Sequence, residues 1–216
     1  MEAVIFDLDG TIIDTIDGVG YAADLTLKKF GYLPHDREFY VGAIGGGART
    51  LIAKAIGSDS KDENTVTKVL KDFLEEYERN WSVGLNVYEG IRELIDQLRT
   101  QGIKIGVNTN KPDNIAQNVV RNFFHENQIS EIVGSQSTFP NKPNPAGTFH
   151  LLDHFNVIPE NSIYVGDSLS DILTAKNAGM PCIICTWGYG NPKEFTDADY
   201  IVDQPSDILK LVTSLK

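Results

Sequence analysis

Apolar residues recur along this chain in two rhythms. Short runs rich in β-branched residues fall at Ala3–Phe6, Ile103–Thr109, Glu131–Ser135, Ser162–Gly166, Cys182–Thr186 and Tyr200–Val202, and each predicts a strand. From residue 88 onward these runs alternate with stretches of helical period. Ile91, Leu94, Ile95 and Leu98 give i, i+3, i+4, i+7 spacing closed by Gly102. Ile115, Val119 and Phe123 mark a second helix, Ala146 to Phe155 a third, and Ile172 to Ala178 a fourth. Strands separated by helices read as βαβ units, so the expected fold is α/β, a doubly wound parallel-sheet (Rossmann-like) core with helices on both faces.

Between Asp14 and Val87 the alternation breaks. Helical patterns run from Tyr21 to Gly31 and from Ala48 to Ile56, and a long amphipathic stretch puts Val66, Val69, Leu70, Phe73 and Tyr77 on one face. No strand is expected inside this block. Residues 1–13 plus 88–216 therefore form the expected catalytic core, and 14–87 an inserted all-helical cap domain. The cap would sit above the carboxyl end of the first strand, placed to open and close over it.

Composition narrows the function. The chain has 216 residues, 41% of them hydrophobic, enough for one core domain with a smaller insert. Nineteen basic side chains against 30 acidic ones give a net charge of −11, with no basic block, which argues against nucleic acid and anionic membranes as partners. An anionic small molecule remains compatible, because a local cation and one or two lysines reverse the field inside a pocket. No apolar run approaches the ~18 residues of a membrane span, and the first ten residues read as a strand and loop, not a signal peptide, so a cytoplasmic protein is expected. Cys182 and Cys185 form a C-x-x-C, but residues three apart on a strand face opposite ways, so they are expected to pack in the core.

Four strand ends carry chemistry. Val4-Ile5-Phe6 runs into Asp7 and Asp9, followed by Gly10 and Thr11. Two carboxylates so close at the tip of a buried strand repel unless a hard cation lies between them, and a carboxylate beside Mg²⁺ can serve as a nucleophile. The second strand ends in Thr109, Asn110 and Lys111 before Pro112. A hydroxyl and backbone N–H groups at a helix start suit a phosphate oxygen, and Thr109 or Asn110 serves equally as a helix N-cap. Lys142 is held between Pro140 and Pro143, unlike an ordinary mobile surface lysine. The fourth segment, Ile163-Tyr164-Val165-Gly166-Asp167, is followed by Asp171 within the first turn of the next helix. Nucleophile, acid/base, Mg²⁺ ligands and a cation to neutralise phosphate are the set that phosphoryl transfer through a covalent intermediate requires.

With these motifs in this order, and a helical insert between the first and second, the chain resembles the haloacid dehalogenase superfamily along its whole length. Thr109-Asn110-Lys111-Pro112, Lys142-Pro143, Gly166-Asp167-Ser168 with Asp171, and Thr186-Trp187-Gly188-Tyr189-Gly190 resemble its phosphoglycolate phosphatase branch. The resemblance implies that Asp7 attacks phosphorus, and that Asp9 protonates the leaving group and then activates water. It implies Mg²⁺ held by Asp7, the backbone carbonyl of Asp9, Asp167 and, directly or through water, Asp171, and phosphate held by Thr109, Asn110 and Lys142. In capped relatives the loop equivalent to Gly42–Arg49 descends on the substrate, so Gly46, Arg49 and Lys111 become candidate substrate contacts. Halide-cleaving members lack an acid where this chain has Asp9, which sets dehalogenation aside. β-Phosphoglucomutases carry a histidine on the first cap helix, where this chain has Val19. The expected activity is hydrolysis of a small phosphorylated metabolite, 2-phosphoglycolate first, by a monomer or homodimer. Pyrophosphate, a nucleoside 5′-monophosphate or a sugar phosphate are the alternatives, ahead of a mutase or a non-catalytic binding protein.

Overall fold

The computed structural model describes residues 1–136 and 138–215. In chain order the elements are β1 (Ala3–Phe6), β2 (Ile13–Asp14), α1 (Ile16–Lys29), α2 (Arg37–Ala43), α3 (Ala48–Ala55) and α4 (Glu63–Asn80). There follow β3 (Asn86–Val87), α5 (Ile91–Thr100), β4 (Lys104–Pro112), α6 (Asp113–Phe123), β5 (Glu131–Ser135) and α7 (Ala146–Phe155). The chain closes with β6 (Ser162–Gly166), α8 (Leu169–Ala178), β7 (Cys182–Cys185), β8 (Tyr200–Val202) and α9 (Pro205–Ser214).

Six strands form one parallel sheet in the order β5-β4-β1-β6-β7-β8. β1, β6 and β7 are buried at every residue, as expected for strands covered on both faces. Alternation within β1 splits the core: Val4 and Phe6 pack into one cluster with residues of α5, α6 and α9, while Ala3 and Ile5 pack into another with residues of α7 and α8. The two cysteines divide in the same way, Cys185 with the first cluster and Cys182 with the second, and both are free and buried. Chain order reverses between β1 and β6, so the crevice at their carboxyl ends is the topological switch point where α/β proteins bind ligands.

Helices α1–α4 pack on one another between β1 and α5, with Val66, Val69, Phe73 and Tyr77 of α4 turned inward as the 3.6-residue period requires. Two expectations change here. A strand pair does interrupt the insertion: β2 and β3 form an antiparallel ribbon, Ile13 opposite Val87 and Asp14 opposite Asn86, which ties its two connecting segments together. β4 also runs on to Pro112, pairing with Ser135 of β5 after a register shift beyond Asn108. Thr109, Asn110 and Lys111 are therefore strand residues, and neither Thr109 nor Asn110 caps α6, whose N-cap position is Pro112.

Candidate active site

The turn after β1 brings Asp7 and Asp9 to the switch point. Asp7 N–H donates to Val165 O at 2.8 Å, which continues the β1–β6 ladder and sets Asp7 beside the Gly166-Asp167 corner. Gly10 follows with φ +82°, and a Cβ there would lie 2.4 Å from Asp167 Oδ2. Only glycine allows the turn to pass this close.

Asp7, Asp167 and Asp171 offer carboxylate oxygens all within 4.8 Å of one another, and all three residues are buried. Their surroundings differ. Asp171 Oδ2 accepts from the backbone N–H of Asp167 (3.2 Å) and Ser168 (3.0 Å) and from Ser168 Oγ (2.7 Å), while Oδ1 accepts from Lys142 Nζ at 2.7 Å. Its oxygens are largely committed to the α8 capping box and to the lysine. Asp167 accepts from Thr11 Oγ1 (3.1 Å) and Tyr189 N–H (2.7 Å). Asp7 Oδ1 lies 2.8 Å from Lys142 Nζ in an ion pair but receives no aligned hydrogen bond. Burial, reinforced by Asp171 and Asp9 and opposed by Lys142, pushes the Asp7 carboxyl up to about 7. Burial and the neighbouring Asp171 and Asp7 also push Asp167 well above the usual carboxylate range. A buried, all-oxygen donor set with an orphaned carboxylate oxygen fits a hard divalent cation.

Lys142 is placed by Asn110. The Asn110 amide accepts from Lys142 N–H at 2.8 Å and donates to Lys142 O at 3.2 Å and to Gly45 O at 2.9 Å. With both side-chain donors engaged, the Asn110 amide is a clamp joining the Lys142 loop to the Gly45–Gly47 loop. Thr109 is buried, lines the cavity and retains its hydroxyl proton as a donor. Lys111 Nζ donates to Asp9 Oδ1 at 2.7 Å, and Thr15 Oγ1 donates to the same oxygen at 2.6 Å. Burial alone would lower the Lys111 ammonium, but Asp9 beside it more than offsets this and holds it raised.

The carboxylates face a cavity of about 630 Å³ between the sheet edge and the helical insertion. Asp7, Asp9, Thr109, Asn110, Lys111, Lys142 and Asp167 line it from below, and Gly46 lines it from the insertion. Arg49 does not: its guanidinium pairs with Glu63 on the exposed side of α3, and Lys54 is the cation that the insertion contributes to the lining.

Sequence reasoning gave no role to Tyr189, yet it ties the site to the connection. Its N–H holds Asp167, its hydroxyl accepts from Thr15 N–H (2.8 Å) and Ile16 N–H (3.2 Å), and that hydroxyl donates to Asp14 Oδ1 at 2.6 Å. Trp187, also unassigned from sequence, donates from Nε1 to Thr11 O at 3.0 Å. The flanking glycines of the Trp187–Gly190 segment were the available signal. A Cβ at Gly190 would fall 1.7 Å from Asp167 O, so that loop is pressed against the site.

Residues 4–185 match the family described as haloacid dehalogenase-like hydrolase. The chain is 34% identical over 194 residues to a phosphoglycolate phosphatase of Rhodospirillum rubrum, covering 87% of this chain and 80% of that one. It is 28% identical over 215 residues to an N-acetylmuramic acid 6-phosphate phosphatase of Pseudomonas aeruginosa, covering 98% and 95%. The crystal structure of a predicted phosphoglycolate phosphatase from Haemophilus somnus superposes with a TM-score of 0.88 at 28% identity, covering 98% and 97%.

Proposed function

This chain belongs to the haloacid dehalogenase-like hydrolases and is a phosphatase, and on that premise we propose that it is a Mg²⁺-dependent phosphomonoesterase working through an aspartyl-phosphate on Asp7. The observation that carries this reading is the buried trio Asp7, Asp167 and Asp171 with Lys142 Nζ set between Asp7 and Asp171 at 2.8 and 2.7 Å.

Asp7, Asp167 and the Asp9 carbonyl would hold the cation, which supplies charge neutralisation for the nucleophile and the phosphoryl oxygens. Asp171, already saturated with donors, acts by fixing Lys142 and completing the shell. Thr109 and Lys142 bind the phosphoryl oxygens. An oxygen of Asp7 attacks phosphorus as the ester oxygen departs, and Asp9 gives that oxygen its proton. Asp9 then takes a proton from the water that attacks phosphorus and returns Asp7 as a free carboxylate. The helical insertion, 14–87, serves as the cap that excludes bulk water during both steps.

The relatives' names put 2-phosphoglycolate first among substrates. A sugar phosphate is the second reading, favoured by the cavity itself. At about 630 Å³, with Val41, Ile44, Leu51 and Phe73 on the cap wall, it has more room and a more apolar cap face than a two-carbon acid fills. Phosphate release would be measured from phosphoglycolate, hexose and amino-sugar phosphates, nucleotides and pyrophosphate, with Mg²⁺ and with EDTA. The expected result is EDTA-sensitive turnover of one ester well above the rest, lost in Asp7→Asn. Turnover that persists in Asp7→Asn would overturn the mechanism.

A further inference from the structure

We propose that Lys111 is a positioning residue that aims the carboxyl of Asp9, and that the ring of Tyr77 holds it in that role from the cap. The inference rests on the phosphomonoesterase reading above.

Lys111 belongs to a core strand, yet its side chain is only 1% exposed. A buried ammonium is costly unless every approach to it is compensated. Lys142 has two carboxylates, whereas Lys111 has one, Asp9 Oδ1 at 2.7 Å. The rest of its compensation is the face of Tyr77, whose ring centroid lies 4.9 Å from Nζ. Tyr77 comes from α4 of the insertion, and its ring stacks on Phe73 at 5.4 Å between centroids, which fixes its plane. Its buried hydroxyl makes no hydrogen bond among the described residues, so the ring supplies the contact.

The effect on Asp9 is directional. Thr15 Oγ1 reaches the same Oδ1 at 2.6 Å, so two donors grip one oxygen. Asp9 lines the cavity, and its Oδ2 accepts no hydrogen bond among the described residues. The clamp thus fixes the carboxyl by Oδ1 and presents Oδ2 as the atom that carries or receives the proton. Both halves of this clamp depend on the insertion, Thr15 from its first connecting segment and Tyr77, through Lys111, from α4, so the acid is fully aimed only while α4 lies over the sheet edge.

A positioning role separates from substrate binding by leaving-group chemistry. Phenyl and p-nitrophenyl phosphate have nearly the same shape, but nitrophenolate departs without needing a proton and phenolate does not. With Mg²⁺ present, Lys111→Met should lower kcat/KM for phenyl phosphate by about 100-fold and for p-nitrophenyl phosphate by less than about tenfold. Tyr77→Leu should shift the ratio the same way by a smaller factor, and Tyr77→Phe, which keeps the ring, should retain the ratio that Tyr77→Leu loses. An equal loss on both esters in Lys111→Met and Tyr77→Leu, or a rise in KM alone, would overturn the proposal. Wild-type protein inert toward both esters and toward every compound of the phosphate-release panel would instead bring down the phosphomonoesterase reading on which it rests.

Discussion

Removing the cation should leave a protein whose stability falls as pH rises toward neutrality. Asp7 is buried among acids, and its carboxyl moves from an ordinary 3.8 to about 7. The folded state therefore binds this proton more tightly than the unfolded chain, so stability is highest below the unfolded value and declines as pH climbs through the folded one. At about 1.4 kcal/mol per tenfold change in proton affinity, the gap corresponds to an upper bound of about 4 kcal/mol, and the raised Asp167 acts in the same direction. Urea unfolding in EDTA should give a midpoint clearly lower at about pH 7.5 than at about pH 5. Mg²⁺ should restore the midpoint at the higher pH and do little at the lower, because it competes with protons for the same oxygens. Asp7→Asn should flatten much of the EDTA slope. A metal-free midpoint that stayed level or rose over this range would refute the reasoning.

Three further outcomes are expected. Tyr189→Phe removes a hydroxyl that serves two backbone N–H groups and Asp14, so it should lower stability by about 1–3 kcal/mol, read as a fall of several degrees in Tm. Gly190→Ala would drive a methyl into the Asp167 carbonyl and should weaken Mg²⁺ binding by about 10–100-fold in calorimetry, with loss of turnover in step. Cys182 and Cys185 are buried and their thiols are pushed up by burial, so a disulfide reagent should label neither quickly in the native protein and both after unfolding.

The sequence was most legible where chemistry and local structure coincide. An apolar run ending in acid residues declares both a strand and what stands at its tip, and this placed Asp7, Asp9 and Asp167 without knowledge of the rest of the chain. Lys142 was legible for a related reason, since the prolines beside it mark a constrained loop. Short range also set the limit. The β2–β3 ribbon has two residues per strand, too few for any period to register, and Asp14 reads as loop. The β4 extension depends on Ser135, far along the chain, and turned an expected N-cap into strand. Arg49 was a candidate substrate contact because the equivalent loop of capped relatives descends on the substrate, but here Glu63 lies across the turn and pairs with its guanidinium on the exposed side. Tyr77 sat in the apolar stripe of α4 as core, and only the assembled fold sets Lys111 against its ring.

The charge arrangement explains how so acidic a chain can handle an anion. Four carboxylates (Asp7, Asp9, Asp167, Asp171) and two ammoniums (Lys111, Lys142) give the site a formal charge of −4 + 2 = −2. The lysines are not pooled: Lys111 serves Asp9, Lys142 serves Asp7 and Asp171, and Asp167 is left with a hydroxyl and a backbone N–H. A phosphate dianion approaching this set meets net repulsion, while one divalent cation brings the formal sum to zero at the point where Asp167 has no ammonium beside it and Asp7 shares one with Asp171. Cation and phosphate must then bind with positive coupling, each raising the affinity for the other by the same factor. Asp9 stands apart because its charge is already answered by Lys111. In the proposed mechanism Asp9 gives up and regains a proton in each turnover, and this pairing would insulate it from a cation serving Asp7, so that one strand-loop, Asp7-Leu8-Asp9, would present two acids with opposite tasks.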